Sequence, residues 1–198
     1  ACQHHADVPA VLGQFAEDDG HCLVIEYLEG QDFSVTLQHQ AGAFDIGLVL
    51  SWADQLLDAL GYLHSQRPPV IHRDIKPQNL KLAENGQVML LDFGLAKGSI
   101  ASLAANVVGH SVYGYTPQYA PIEQVQGTGT DERSDLYSLA ATLYHLLAGV
   151  PPPSALTRIR ARADELPDPL QLIAHYNTQV PGAVDTALRM ALALNPDK

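Results

Sequence analysis

Lysine comes late in this sequence, and cysteine hardly occurs. Lys and Arg together number 11 against 22 Asp and Glu, a formal net charge of −11 over 198 residues, and the first lysine is Lys76. So acidic a chain is poorly suited to tracking a nucleic-acid backbone, and an anionic membrane surface would repel it. The two cysteines, Cys2 and Cys22, form neither a metal-ligand spacing nor a disulfide framework, which points to a reduced, cytoplasmic setting. No histidine pair has a zinc spacing with a third ligand. No run of about 18 apolar residues occurs, so no membrane segment is expected. The opening ACQHHADVPAVLG has no basic region and does not read as a signal peptide. Before residue 70 the glycines are Gly13, Gly20, Gly30, Gly42, Gly47 and Gly61, no two of them one residue apart. A glycine-rich phosphate cradle is therefore missing there. The chain starts without Met and stops directly after an apolar helical pattern, so a fragment of a longer protein is expected.

What is present suits a globular chain. Hydrophobic residues make up 46% and charged residues 17%, enough to bury the core of one domain or a little more. CLVIEYL, Cys22 to Leu28, follows the turn EDDG and is expected to be a buried strand, with VPAVLGQF as its hairpin partner. Gly30 ends that pair. From Asp45 to Ser65, apolar residues at Ile46, Val49, Leu50, Ala53, Leu56, Leu57, Leu60 and Leu63 predict a long helix with one buried face. Pro68 and Pro69 then force an extended exit. Two short strands, LKL and VMLLD, are joined by AENG, whose Asn-Gly is a hairpin signal. Lys97 to Gln118 has little periodicity and reads as a long mobile loop. A second helix is predicted from Arg133 to Leu147, with Asp131 or Thr130 as its cap, and GVPPPSA ends it. A last helix, Gly182 to Leu194, is expected to bury Val184, Leu188, Ala191 and Leu192. The fold class is α+β, mostly helical with a few short strands.

The chemistry gathers around VIHRDIKPQN, Val70 to Asn79. Only a β-hairpin lies between Asn79 and Asp92, and a hairpin returns the chain to where it began, so Asp92 can sit beside Asn79 and Asp74. Two carboxylates and an amide oxygen are hard ligands that suit Mg²⁺, with phosphate oxygens in the remaining positions. Lys76 adds a point charge for a migrating phosphoryl group. Asp74, if it does not ligate metal, can accept the proton of an attacking hydroxyl. These residues make half a site for metal-assisted phosphoryl transfer.

HRDIKPQN followed by DFG (Asp92, Phe93, Gly94) resembles the catalytic and metal-binding loops of the eukaryotic-like protein kinases. Further resemblances follow in order: LVIEYLEG to the hinge that meets adenine, YAPIEQ to the close of the activation segment, and RSDLYSLAATLYHLLAG to the central buried helix. The phrasing RPPVIHRDIKPQN resembles the bacterial Ser/Thr kinases in particular. The resemblance implies a kinase-like fold, with residues 1–28 a remnant of the N-lobe sheet and hinge, and residues 29–198 the mostly helical C-lobe. It implies Asp74 as catalytic base, Lys76 as the γ-phosphate contact, and Asn79 and Asp92 as Mg²⁺ ligands. Thr116 would hydrogen-bond Asp74 and Lys76. Ile25 would be the gatekeeper, the backbone of Glu26 and Leu28 would meet adenine, and Asp32 would bind the ribose. Asp135 would hold the backbone of the catalytic loop, and His72 would pack beside Phe93 without reacting. Arg73 would pair with a phosphorylated activation loop, for which Ser99, Ser102 and Ser111 are candidates.

The sequence also departs from the family pattern. Pro121 and Ile122 precede Glu123 where Ala and Pro are usual, Ala140 replaces a Gly, and Lys81 stands where an apolar side chain packs under adenine, leaving its alkyl stem to serve. The strand lysine that orients the α- and β-phosphates has no counterpart before Lys76, and the Arg that pairs with the residue matching Glu123 has none after Lys198. Leaving a partly buried Glu123 without its cation would cost a few kcal/mol. Two readings follow. One is a Ser/Thr protein kinase using ATP and Mg²⁺ on Ser/Thr-containing protein substrates, with little or no activity in this fragment. The other is a non-catalytic scaffold built on a kinase lobe. The chain is expected to be cytoplasmic, though its parent could be membrane-tethered.

Overall fold

Two small antiparallel sheets and six α-helices make up the computed structural model, which describes residues 5–17, 20–40, 42–91 and 116–195. Strands β1 (Val11–Glu17) and β2 (Gly20–Ile25) form the expected hairpin, Val11 opposite Ile25 and Glu17 opposite Gly20. Only residues 22–25 of CLVIEYL are strand, and the described side chains there, Val24 and Ile25, are exposed, as are Val11, Leu12 and Phe15. The correction has a simple cause. A two-stranded hairpin has no second layer of its own, and β1 and β2 contact chiefly each other. The hairpin's root is anchored instead by the residues before it. His5 stacks on Tyr62 at 5.2 Å and bonds Asp58, while the Asp7 carbonyl accepts from the Leu90 amide.

The second sheet has the order β3 (Gln31–Asp32), β4 (Leu80–Leu82), β5 (Val88–Leu90). Its β4–β5 hairpin is the one that Asn-Gly predicts, Leu80 facing Leu90. The short β3 was not legible as a strand, and it depends on Gly30 before it. Gly30 has φ +135°, and a Cβ there would stand 2.4 Å from the Leu82 carbonyl oxygen, so only glycine lets the two chains approach.

Helix α1 (Phe33–His39) follows β3 directly, and α2 (Ile46–His64) starts where Asp45 accepts from the amides of Gly47 and Leu48. The α2 face is as predicted at Val49, Leu56, Leu60 and Leu63, but Leu50 and Leu57 are exposed and Trp52 is buried in their place. Trp52 meets Phe33 and Phe44 edge-on, at 4.8 and 5.3 Å between ring centres, and so locks α1 to α2. Helix α3 (Ile122–Gln126) is short, and α4 (Glu132–Ala148) is the core of the molecule. Asp131, one of the two cap candidates, caps α4 in a reciprocal box with Ser134. α4 is buried almost all round, and two of its hydroxyls bond within the helix: Ser138 donates to the Ser134 carbonyl and Thr142 to that of Ser138.

Helix α5 (Ala155–Ala163) carries Arg158, which reaches both the Asp168 carboxylate and the Leu192 carbonyl. Burial opposes charge on Asp168 most strongly, but the Arg158 hydrogen bond, the Leu170 amide and the charges of Arg158 and Arg189 together outweigh it and hold that carboxyl below its ordinary range. The last helix, α6 (Gly182–Ala191), ends three residues before the predicted Leu194; Leu188 and Leu192 are buried, while Ala191 is exposed. Among the described residues no helix is long and apolar enough to cross a membrane.

Tyr119 and His145 form a buried pair between the chain ahead of α3 and the inner helix α4. The phenol oxygen and His145 Nδ1 are hydrogen-bonded at 2.7 Å. Burial pushes the Tyr119 pKa up to about 12 and pushes that of His145 below its ordinary value. Both shifts favour the neutral pair, so their linkage to stability runs in opposite directions. The unfolded histidine binds a proton near pH 6.5, so stability contributed by neutral His145 is lost as pH falls below that value. The unfolded tyrosine ionises near pH 10, yet the folded one resists to about 12, so the Tyr119 contribution is lost as pH rises above 10. Urea unfolding across pH should give a plateau between these limits. Tyr119→Phe should lower that plateau by about 1 kcal/mol and flatten the alkaline limb.

Candidate active site

The loop before β4 is held from below by one carboxylate. Asp135, in the first turn of α4, is fully buried and accepts from the amides of His72 at 2.9 Å and Arg73 at 2.8 Å. His64, in the last turn of α2, donates to the same carboxylate at 2.8 Å. Arg73 is thereby kept at φ +68°, a left-handed conformation that non-glycine residues rarely adopt. His72 is also fully buried. Its Nδ1 accepts from the Asp74 amide at 3.3 Å, so the proton is on Nε2, which donates to the Leu91 carbonyl at 2.9 Å.

Above this base the predicted residues converge. Lys76 Nζ donates to Asp74 Oδ2 at 3.0 Å and to Thr116 Oγ1 at 3.2 Å. Asn79 closes a single 3-10 turn, Pro77–Asn79, and its side-chain amide donates to the Asp74 carbonyl at 2.7 Å and to Asp74 Oδ2 at 3.0 Å. Sequence logic explains the turn: Pro77 supplies a fixed φ at its first position and needs no donor there. Committing the Asn79 NH₂ to Asp74 leaves its carbonyl oxygen, a hard ligand, for a cation. The Leu91 amide donates to the Asn79 backbone carbonyl at 2.8 Å, so the hairpin does return the chain to Asn79. Asp92 itself, with Phe93, Ser99, Ser102 and Ser111, lies outside the described residues. Among the described residues no three His, Cys, Asp or Glu side chains come together as a metal site.

The remaining predicted residues lie along the hinge. The Glu26 amide donates to the Ala10 carbonyl at 3.0 Å. Leu28 is half-buried. Asp32 pairs with Lys81 across β3 and β4, and the Lys81 ammonium lies 5.7 Å from the centre of the Tyr27 ring. Arg73 donates through Nε to Thr130 Oγ1 at 2.8 Å. Glu123 accepts from Ser134 Oγ at 2.7 Å. Sequence reasoning missed the parts played by His64, Thr130, Ser134 and Gln124, which donates to the Arg73 carbonyl at 2.7 Å. The ends of these contacts are separated by 11 to 71 positions, and no local pattern announces them.

The sequence matches the family described as "Protein kinase domain" over residues 1–189. The chain belongs to the protein kinase family. Among curated relatives, a probable serine/threonine-protein kinase of Clostridium perfringens is 31% identical, covering 96% of this chain and 27% of that protein. Serine/threonine-protein kinase PknB of Mycolicibacterium smegmatis is 32% identical over 88% of this chain and 27% of its own length. Serine/threonine-protein kinase 36 of Mus musculus is 37% identical, over 75% of this chain and 11% of its own length. The kinase chain thus spans about a quarter or less of the length of these relatives.

Asp135 is the testable base of this arrangement. Asp135→Ala would strand the buried amides of His72 and Arg73, and should destabilise the fold by about 3–5 kcal/mol in urea unfolding. Asp135→Asn should not restore it, because its NH₂ would face a donor where a second acceptor oxygen is required.

Proposed function

We propose that the protein is an ATP-dependent kinase acting on serine or threonine hydroxyls of proteins. The observation that carries this reading is the triangle of Asp74, Lys76 and Thr116, closed by Asn79 on the same carboxylate oxygen. Asp74 accepts the proton of the attacking hydroxyl through an oxygen already aimed by two donors. Lys76 keeps its ammonium between that carboxylate and Thr116, where it stabilises the charge on the transferred phosphoryl group. Thr116 ties the substrate-side chain to the pair and fixes their spacing. Asn79, together with Asp92, would hold Mg²⁺, whose contribution when bound is to neutralise phosphate charge. The backbone of Glu26 and Leu28 would meet adenine, and Asp32 the ribose. In this reading residues 1–28 form part of the smaller lobe and residues 29–198 belong to the larger one.

The test is phosphoryl transfer by the full-length protein from ATP, with Mg²⁺, to a peptide library containing serine and threonine, read by mass spectrometry. Asp74→Asn should lower kcat by roughly 10²–10⁴ while leaving ATP binding intact. Transfer by the unaltered protein that Asp74→Asn leaves undiminished would remove Asp74 from the chemistry. Nucleotide binding with no transfer at all would instead favour a scaffold.

A further inference from the structure

Gln124 stands in α3, beside the loop but outside the triangle of acid, ammonium and hydroxyl. Its Nε2 donates to the Arg73 carbonyl at 2.7 Å, and this fixes which end of the amide points where. The other end, Oε1, is buried and has no hydrogen-bond partner among the described residues. An acceptor in that state is unfavourable unless something donates to it. Gln124 also lines a small cavity that leaves about 10 Å³ in which the centre of a water molecule can sit, together with Asp74, Ile75, Thr116, Tyr119 and Ser138 among others. The lining mixes polar and apolar groups, and Thr116, which accepts from Lys76 at 3.2 Å, has a hydroxyl proton of its own to donate. A site with room for one water and two to four polar partners is where buried water is found.

We propose that this cavity holds one ordered water bound to Gln124 Oε1, and that Gln124 with this water is the positioning device for Asp74. The geometry gives it a specific task. Arg73 sits at φ +68°, and the peptide joining it to Asp74 is strained unless both sides of the residue are held. Asp135 takes its N–H and Gln124 takes its C=O. Gln124 therefore sets the plane of the peptide that carries Asp74, while the water links that same side chain to the wall formed by Thr116 and Ser138. This rests on the reading of Asp74 as the base, and Gln124 touches no reacting atom.

Crystal structures and kinetics of the full-length protein test the proposal together. The unaltered protein should show a water within hydrogen-bond distance of Gln124 Oε1. Gln124→Met, which conserves volume but removes both polar ends, should lose that water and let the Arg73–Asp74 peptide rotate. Its kcat should fall roughly tenfold, with KM for ATP changed by less than about twofold, because positioning of the base is lost and nucleotide binding is not. Gln124→Glu keeps the acceptor and loses the donor, so it should retain the water but show a similar fall in kcat. A dry cavity in the unaltered protein overturns the proposal, and so does an undiminished kcat in either variant. If the unaltered protein transfers no phosphate, the functional reading fails by itself, and the water and the peptide orientation still decide for or against Gln124.

Discussion

A single buried carboxylate, Asp135, takes hydrogen bonds from two backbone amides and a histidine that no local structure could satisfy. Desolvating such a charge costs several kcal/mol, and hydrogen bonds to it return about 1.5–3 kcal/mol each, so the two nearly cancel. What Asp135 contributes is shape. It fixes His72 and Arg73 to the first turn of α4, which is the most buried helix of the molecule. The left-handed Arg73, which costs on the order of 1–3 kcal/mol by itself, is held against a rigid body. The loop then carries Asp74 away from the core and toward Lys76.

The rest of the site follows from that anchor. His72 can accept from the Asp74 amide only with its proton on Nε2, and that proton reaches the Leu91 carbonyl. The Leu91 amide bonds the Asn79 carbonyl in turn. The loop, the 3-10 turn and the end of β5 therefore form one closed circuit of hydrogen bonds, in which each member fixes the protonation or orientation of the next. Such a circuit resists small displacements, which is what proton abstraction at a fixed distance demands. Thr116 closes it from the far side through Lys76.

Local patterns made the larger elements legible. Asn-Gly announced the β4–β5 hairpin, Asp45 and Asp131 announced the starts of α2 and α4, and the three-and-four spacing announced the length of α2. Motif order did the same for Asp74, Lys76, Asn79 and Thr116, which the fold brings together. Short elements escaped because their stability is tertiary. α1 rests on a Phe33–Trp52–Phe44 cluster, and β3 on a single glycine that admits the Leu82 carbonyl. The hydrophobicity of CLVIEYL was read correctly as a strand and wrongly as buried, since an apolar run does not say whether a partner layer is present. His64 and Gln124 were invisible for a further reason. Each acts on a residue more than 50 positions away, through a contact that only the folded chain creates.

The scarcity of cations gives those around the loop added weight. Arg73, Lys76 and Lys81 fall within residues 73–81 of a chain with only 11 Lys and Arg in all. Arg73 is turned to Thr130, and Lys81 lies over the Tyr27 ring, so among the described residues the cation nearest Asp74 is Lys76. An ammonium has three donors; two go to Asp74 and Thr116, and the third remains for an anion. In so acidic a chain the surrounding potential repels anions. In the proposed reading, a phosphate approaching this loop would be met by one pre-aimed proton donor, and its binding would depend on geometry at Lys76 more than on the field of the protein. That is consistent with a site whose side chains are fixed before the ligand arrives.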